Sequence, residues 1–194
     1  DGNVYNTVKI GEQEWMAENL RTTKYKDNES IPLITDGTEW VNLEGPGYCW
    51  YNNDISTYKN PYGALYNWYT VNTGKLCPAG WHIPADEEWS IMTDFLGGEV
   101  AGMLKETGTS HWMGSDPKDP EVTNETGFTA LPGGVRSDYD GDFNGIRWYG
   151  NWWSSTESDA NNAWYRNLSW DDGWVDRFNG EKVAGNSVRC LKDE

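Results

Sequence analysis

The chain has 194 residues, enough for one domain with a real core, and carries 13 tryptophans at a mean hydropathy of −0.81. A disordered chain would lack those aromatics. A formal charge of −16, from 31 acidic and 15 basic side chains, argues against nucleic acid or an anionic membrane as partner, because both need a cationic face. It leaves a carbohydrate, a basic protein or a bound cation, although solvation of the surface is the simplest role for such charge. No segment approaches the roughly 18 apolar residues of a membrane span.

The chain opens at Asp1 directly on a strand-like run, as a mature fragment without its leader would. Val4, Val8 and Ile10 at even spacing, a turn at Gly11-Glu12 and the extended run Glu14-Trp15-Met16 predict a hairpin. Residues 22–60 are polar and read as loop with short strands. Asn60-Pro61 opens a predicted helix in which Leu65, Trp68 and Tyr69 share a face, and Gly74 ends it. A second helix is expected from Asp86 to Leu96, with Trp89, Met92 and Leu96 as its stripe and three acidic residues at its positive end. A short third one is expected within Glu99 to Glu106. Beyond Gly108 the chain reads as turns and short strands, with no internal repeat. The sum is an α+β domain.

Cys49, Cys77 and Cys190 form no CxxC pair, and His82 and His111 are the only imidazoles, so a structural zinc site is not expected. In an exported protein one disulfide and one odd thiol is the natural count. We pair Cys77 with Cys190, a bridge that closes a long loop and stabilises by roughly 2–4 kcal/mol in the chain-entropy model.

The run from Gly150 to Cys190 alternates tryptophan with Asn, Asp, Ser and Gly, a mixture suited to gripping a ligand. Asp172-Gly173 reads as a two-residue type I′ hairpin turn. That register places Asn167, Ser169, Asp171, Trp174, Asp176 and Phe178 on an outward face. Trp164, Arg166, Leu168, Trp170, Val175 and Arg177 fall on the inward one, with Trp148 and Tyr149 at the rim of the outward face. Aromatic rings among carboxylates and amides suit a sugar, which stacks through its apolar face and hydrogen bonds through its hydroxyls. A slip of one residue would exchange the faces. Asp138, Asp140, Asp142 and Asn144 alternate as calcium ligands do, but Phe143 and Tyr149 stand where an EF-hand loop needs Gly and Glu. A solvated turn is the expectation there.

The stretches WMAENL (15–20), YGALYNWY (62–69), LCPAGWHIP (76–84), GFTALPGGVR (127–136), NWWSSTE (151–157) and NSVRC (186–190) together resemble the Fibrobacter succinogenes major paralogous domain. That family is similar in turn to C-type lectin-like domains and to the fold of formylglycine-generating enzymes. The resemblance implies two helices, a mostly antiparallel sheet and neighbouring termini. It also implies surface-exposed or secreted proteins, often lipoproteins, of Bacteroidetes and related bacteria, some of them diversified ligand-display domains. It assigns Trp152 and Trp153 to the core, with Trp50, Trp68, Trp81, Trp89 and a packed His82.

Two departures stand out: Ala85 replaces the Ser or Thr that usually starts the second helix, and Cys49 has no neighbouring cysteine. Calcium-dependent lectins use an EPN or QPD loop and a WND strand, of which SWDD at 169–172 is a faint echo. An oxidase of the related fold needs a reactive cysteine pair that holds copper. The sequence thus points to a monomeric, non-catalytic recognition domain at the bacterial surface. Glycan is the first ligand class, and a protein-binding adhesin or ligand-display domain the alternative; no cofactor is called for, and calcium has only weak support.

Overall fold

The computed structural model describes residues 2–114 and 122–194. Strand β1 (Thr7–Ile10) and strand β2 (Gln13–Met16) form the expected hairpin, pairing Ile10 with Gln13 across Gly11-Glu12. The polar stretch after it holds more than loop. Helix α1 (Gly37–Val41) starts at Asp36, whose carboxylate accepts the Glu39 N–H. Strand β3 (Tyr48–Cys49) and a 3-10 turn at Tyr51–Asn53 follow. Helix α2 (Ile55–Tyr62) starts at Asp54, which accepts from the N–H groups of Ser56 and Thr57. Both helices announce themselves by an N-cap Asp rather than by an apolar stripe.

The helix expected to run from Asn60-Pro61 to Gly74 does not exist as one element. A residue before proline is pushed out of the helical region, and Asn60 is extended at φ −118°, ψ 118°. Pro61 therefore sits at the end of α2. Leu65–Tyr66 is strand β4, paired with β3, and only Trp68–Val71 is helical, as α3. Asn67 caps α3 by accepting the Thr70 N–H. Strand β5 (Trp81–His82), helix α4 (Asp86–Leu96) and helix α5 (Ala101–Leu104) come next, α4 with the expected bounds.

The second half is strands: β6 (Gly133–Arg136), β7 (Phe143–Ile146), β8 (Tyr149–Glu157), β9 (Asn162–Ser169), β10 (Asp176–Glu181) and β11 (Leu191–Lys192). Two main sheets result, ordered β1-β2-β11-β5 and β10-β9-β8-β6-β7. Pairing is antiparallel except for a short parallel contact of β6 with β8. The class is α+β, and β11 beside β2 brings the two ends of the chain into one sheet.

The core is aromatic. Trp15, Trp89, Phe128 and Trp152 are fully buried, and the Trp15 and Trp89 rings lie 4.7 Å apart. Trp50, Trp68 and Trp153 are buried as expected, whereas Trp81 is only half-buried against the cluster around Trp68 and Trp153. The Cys77–Cys190 disulfide ties the segment before β5 to the segment before β11.

Two arginines are fully buried and held by carbonyls rather than carboxylates. Arg136 donates to the carbonyls of Ile34, Thr35 and Gly141 and lies over Trp40. Arg189 donates to Asn19 Oδ1 and to the carbonyls of Phe128 and Thr129. Burial pulls the Arg189 guanidinium down to about 9, which still leaves it charged at neutral pH. Each arginine fastens loops across long sequence distances by donating to their main-chain carbonyls.

Candidate functional site

The site is a face of the five-stranded sheet, and its register fixes who shares it. Residues directly opposite in an antiparallel pair point to the same side. Tyr149 opposes Ser169, Asn151 opposes Asn167, and Trp153 opposes Tyr165. On the other flank of β9, Asn167 opposes Asp176 and Tyr165 opposes Phe178. One face therefore carries Tyr149, Asn151, Asn167, Ser169, Asp176, Tyr165 and Phe178, with buried Trp153 as its floor at one end.

This register differs by two residues from the one expected. The expected scheme paired Asn167 with Phe178, but Phe178 stands opposite Tyr165. A two-residue type I′ turn needs positive φ at both central positions, and Gly173 is not among the positive-φ glycines. The connection is a longer loop anchored on α5: the Ala101 N–H donates to the Gly173 carbonyl and Lys105 Nζ to that of Asp172. A slip of two preserves side-chain parity, so the partition of β9 and β10 into faces holds.

Within the face, Asn167 Nδ2 donates to Asn151 Oδ1 at 2.6 Å, and Ser169 Oγ donates to Asp171 Oδ1 at 2.5 Å. The ring of Phe178 lies 6.0 Å from that of Tyr165, which meets Trp153 edge-on at 5.7 Å. Phe178 is 47% exposed. Tyr149 lies over Gly145 of β7, where a Cβ would come within 2.6 Å of the ring, so only glycine leaves it room.

Asp176 differs from its neighbours. It is partly buried, and no hydrogen bond or ion pair to its carboxylate occurs among the described residues, while Asp171 is engaged by Ser169 and Asp172 by the Trp174 N–H. Burial, helped by nearby Asp172, raises its pKa above the ordinary carboxylate value.

Three expected members lie elsewhere. Asp171 falls in the loop after β9, exposed and held by Ser169. Trp174 falls in the loop, outside the strand alternation. It borders a cleft of about 480 Å³ with Thr93, Asp94, Gly97 and Gly98 at the C-terminal end of α4. Trp148 has the parity opposite to Tyr149 and meets Trp170 edge-on at 5.7 Å, on the α4 side of the sheet. Asn151 and Tyr165 are the members that sequence reasoning missed. Continuing the same alternation upstream along 165–169, and along 149–153, would have found both.

The opposite face is closed by α4. Arg166, almost fully buried, donates to Asp86 Oδ1 at 2.6 Å, to the Asp86 carbonyl and to Ser90. Arg177, expected inward, is partly exposed yet bound to the same Asp86, and stacks 3.3 Å from the centroid of Trp164. Burial alone would raise the Asp86 pKa, but the hydrogen bonds from Arg177 and Arg166 outweigh it and lower it.

Three further expectations meet the structure here. His82 is not packed in the core: its ring is partly exposed, with Nδ1 2.7 Å from Asp193 and Nε2 2.9 Å from Glu88. Burial works against its charge, but those two hydrogen bonds prevail and raise its pKa. Cys49 is buried, and burial pushes its thiol up to about 12. With Cys77 and Cys190 joined, Cys49 has no second thiol beside it and little thiolate character. The Asp138–Asn144 loop closes as a turn in which the Ser137 N–H donates to the Asp142 carbonyl and Asp140 accepts the Asp142 N–H. No group of three or more His, Cys, Asp or Glu placed to hold a metal ion occurs among the described residues. No helix there is long and apolar enough to cross a membrane.

A family model described as Fibrobacter succinogenes major domain matches residues 8–192. No curated protein and no solved structure matches the chain.

Proposed function

The chain belongs to the Fibrobacter succinogenes major domain family, and from that premise we propose that it is a non-catalytic recognition domain, built on a C-type-lectin-like plan, that binds glycan at the bacterial surface or outside the cell. The observation that carries the reading is the sheet face itself, where Tyr149, Tyr165 and Phe178 stand beside Asn151, Asn167, Ser169 and Asp176. Exposed aromatic area next to unspent polar groups usually marks a binding surface. A pyranose stacks its apolar side on Phe178 and directs its hydroxyls to the amides and the carboxylate. Cys49, buried and without a partner thiol, does not favour copper oxidase chemistry.

The test is a glycan and polysaccharide array probed with wild-type protein and with Phe178→Ala, each with calcium and with EDTA. A defined hit lost in the variant supports the reading. Hits that survive Phe178→Ala, or no hit from folded protein, overturn it. A protein ligand is the second reading, favoured by Trp174 and Trp148, exposed aromatics on the α4 side of the sheet that offer a second contact surface. Standard protein interfaces need about 1,200–2,000 Å² in total.

A further inference from the structure

Resting on the glycan reading, we propose that the Tyr149–Phe178 face selects its sugar by charge. It takes neutral pyranoses, binds amino sugars with a free ammonium more tightly, and rejects uronic acids and sulfated sugars.

The argument begins with the cations. Among the described residues of β6 to β10 and the segments that adjoin them, every one is already engaged. Arg166 and Arg177 lie on the other face and share Asp86. Arg136 is buried against carbonyls, and Arg147 reaches the carbonyls of Thr109 and Trp112. Lys182 donates to the Ala160 carbonyl at 2.7 Å and pairs with Glu157. A ligand carboxylate or sulfate laid on Phe178 would find no unengaged cation among these strands, and a desolvated charge without a partner is strongly disfavoured.

The acids are placed the other way. Asp176 stands in the row of Asn151 and Asn167, next to the Tyr165–Phe178 row, partly withdrawn from water and without a donor among the described residues. Such a group spends none of its hydrogen-bonding capacity on the described residues of the fold. It gains most from a ligand that brings an N–H or, better, an ammonium, because charge-assisted hydrogen bonds are about twice as strong as neutral ones. Asn167 spends one N–H on the buried Asn151 and keeps its other groups for hydroxyls, which fits the rest of the ring.

Calorimetric titration of the whole chain with three oligosaccharides decides it: glucosamine oligomers, their N-acetylated counterparts and galacturonate oligomers, at low and high salt. Wild type is compared with Asp176→Asn, a near-isosteric change that keeps the face intact, and with Phe178→Ala. We expect glucosamine oligomers to bind about fivefold more tightly than the N-acetylated ones at low salt, with the advantage shrinking at high salt and falling below about twofold in Asp176→Asn. Galacturonate should show no measurable binding. Galacturonate binding as tightly as the neutral oligomer, or an ammonium preference that survives Asp176→Asn, overturns charge selection and leaves the glycan reading standing. If no saccharide binds, or if binding is indifferent to Phe178→Ala, the glycan reading itself falls and charge selection with it.

Discussion

The two faces of the β8–β9–β10 strand trio are made from alternate residues of the same segments, yet they treat a carboxylate in opposite ways. On one face the Asp86 carboxylate of α4 receives two arginines, one of which also donates to the Asp86 main-chain carbonyl. On the other, Asp176 is partly buried with no partner among the described residues, beside amides and rings. The first arrangement holds a helix to a sheet. The second has the unspent hydrogen-bonding capacity expected of a surface that meets something else. The lesson is that acidity alone identifies neither; what distinguishes them is whether the local cations have been used.

The strongest way to break this contrast is to remove Asp86. Asp86→Asn leaves Arg166, almost fully buried, without its counter-charge, a loss that destabilises by about 3 kcal/mol. Urea denaturation should show the midpoint falling by a corresponding amount with the slope unchanged. A change below about 1 kcal/mol would mean that the Asp86 carbonyl and Ser90 suffice for Arg166. Next in size is Phe178→Ala on the open face. Because the ring is 47% exposed, its loss should cost folding less than about 1 kcal/mol but binding about 2 kcal/mol or more, the scale of an interface anchor. Loss of stability without loss of binding would reverse the roles assigned to the two faces.

A smaller test sharpens the α4 side. Ala85 occupies the N-cap of α4 with extended backbone, and it already accepts help from below: its N–H donates to Glu88 Oε2 at 2.7 Å. The missing half of the capping box is a side-chain acceptor, and Ala85→Ser supplies it, for a gain of about 1 kcal/mol. Thr156 Oγ1 accepts the Asp86 N–H at 3.0 Å, so one orphan donor of the helix is already met from across the fold and the gain should not exceed this. The same Glu88 holds His82, whose raised pKa gives a stabilisation present in full below the ordinary histidine value and lost as pH rises through the folded one. Wild type should therefore lose stability across that window relative to His82→Gln, whose own stability should stay level.

Much of this was legible in the chain. The N-terminal hairpin, α4, the Cys77–Cys190 pairing and the buried Trp152-Trp153 pair all follow from spacing or from family-like stretches. The two faces were legible because alternation in β9 and β10 is robust to a two-residue slip. Three things were hidden. The loop at 170–175 is shaped by its docking on α5, a contact between segments far apart in sequence, so Asp172-Gly173 reads as a local turn and Trp174 lies in the loop rather than in the strand alternation. The segment 61–74 has helical spacing, but pairing of Leu65–Tyr66 with β3 overrides it. The buried arginines gave no signal at all, since their partners are main-chain carbonyls, which every residue has.

The smallest effect is also the most discriminating, because the two carboxylates should respond to acid with opposite signs. The Asp86 pKa is lowered, so its stabilisation is complete above the unfolded value near 3.8 and disappears as pH falls through the folded one. The Asp176 pKa is raised, so its ionised form opposes folding above the folded value, and that opposition is gone below 3.8. Asp176→Asn should then be neutral or slightly stabilising at pH 7, with its difference from wild type vanishing on acidification, while Asp86→Asn is destabilising at pH 7 and converges on wild type in acid. The comparison needs only denaturation midpoints at a few pH values. If Asp176→Asn instead lost more than about 1 kcal/mol at pH 7, the carboxylate would have a partner within the fold, and the open face would be doing the same structural work as the closed one.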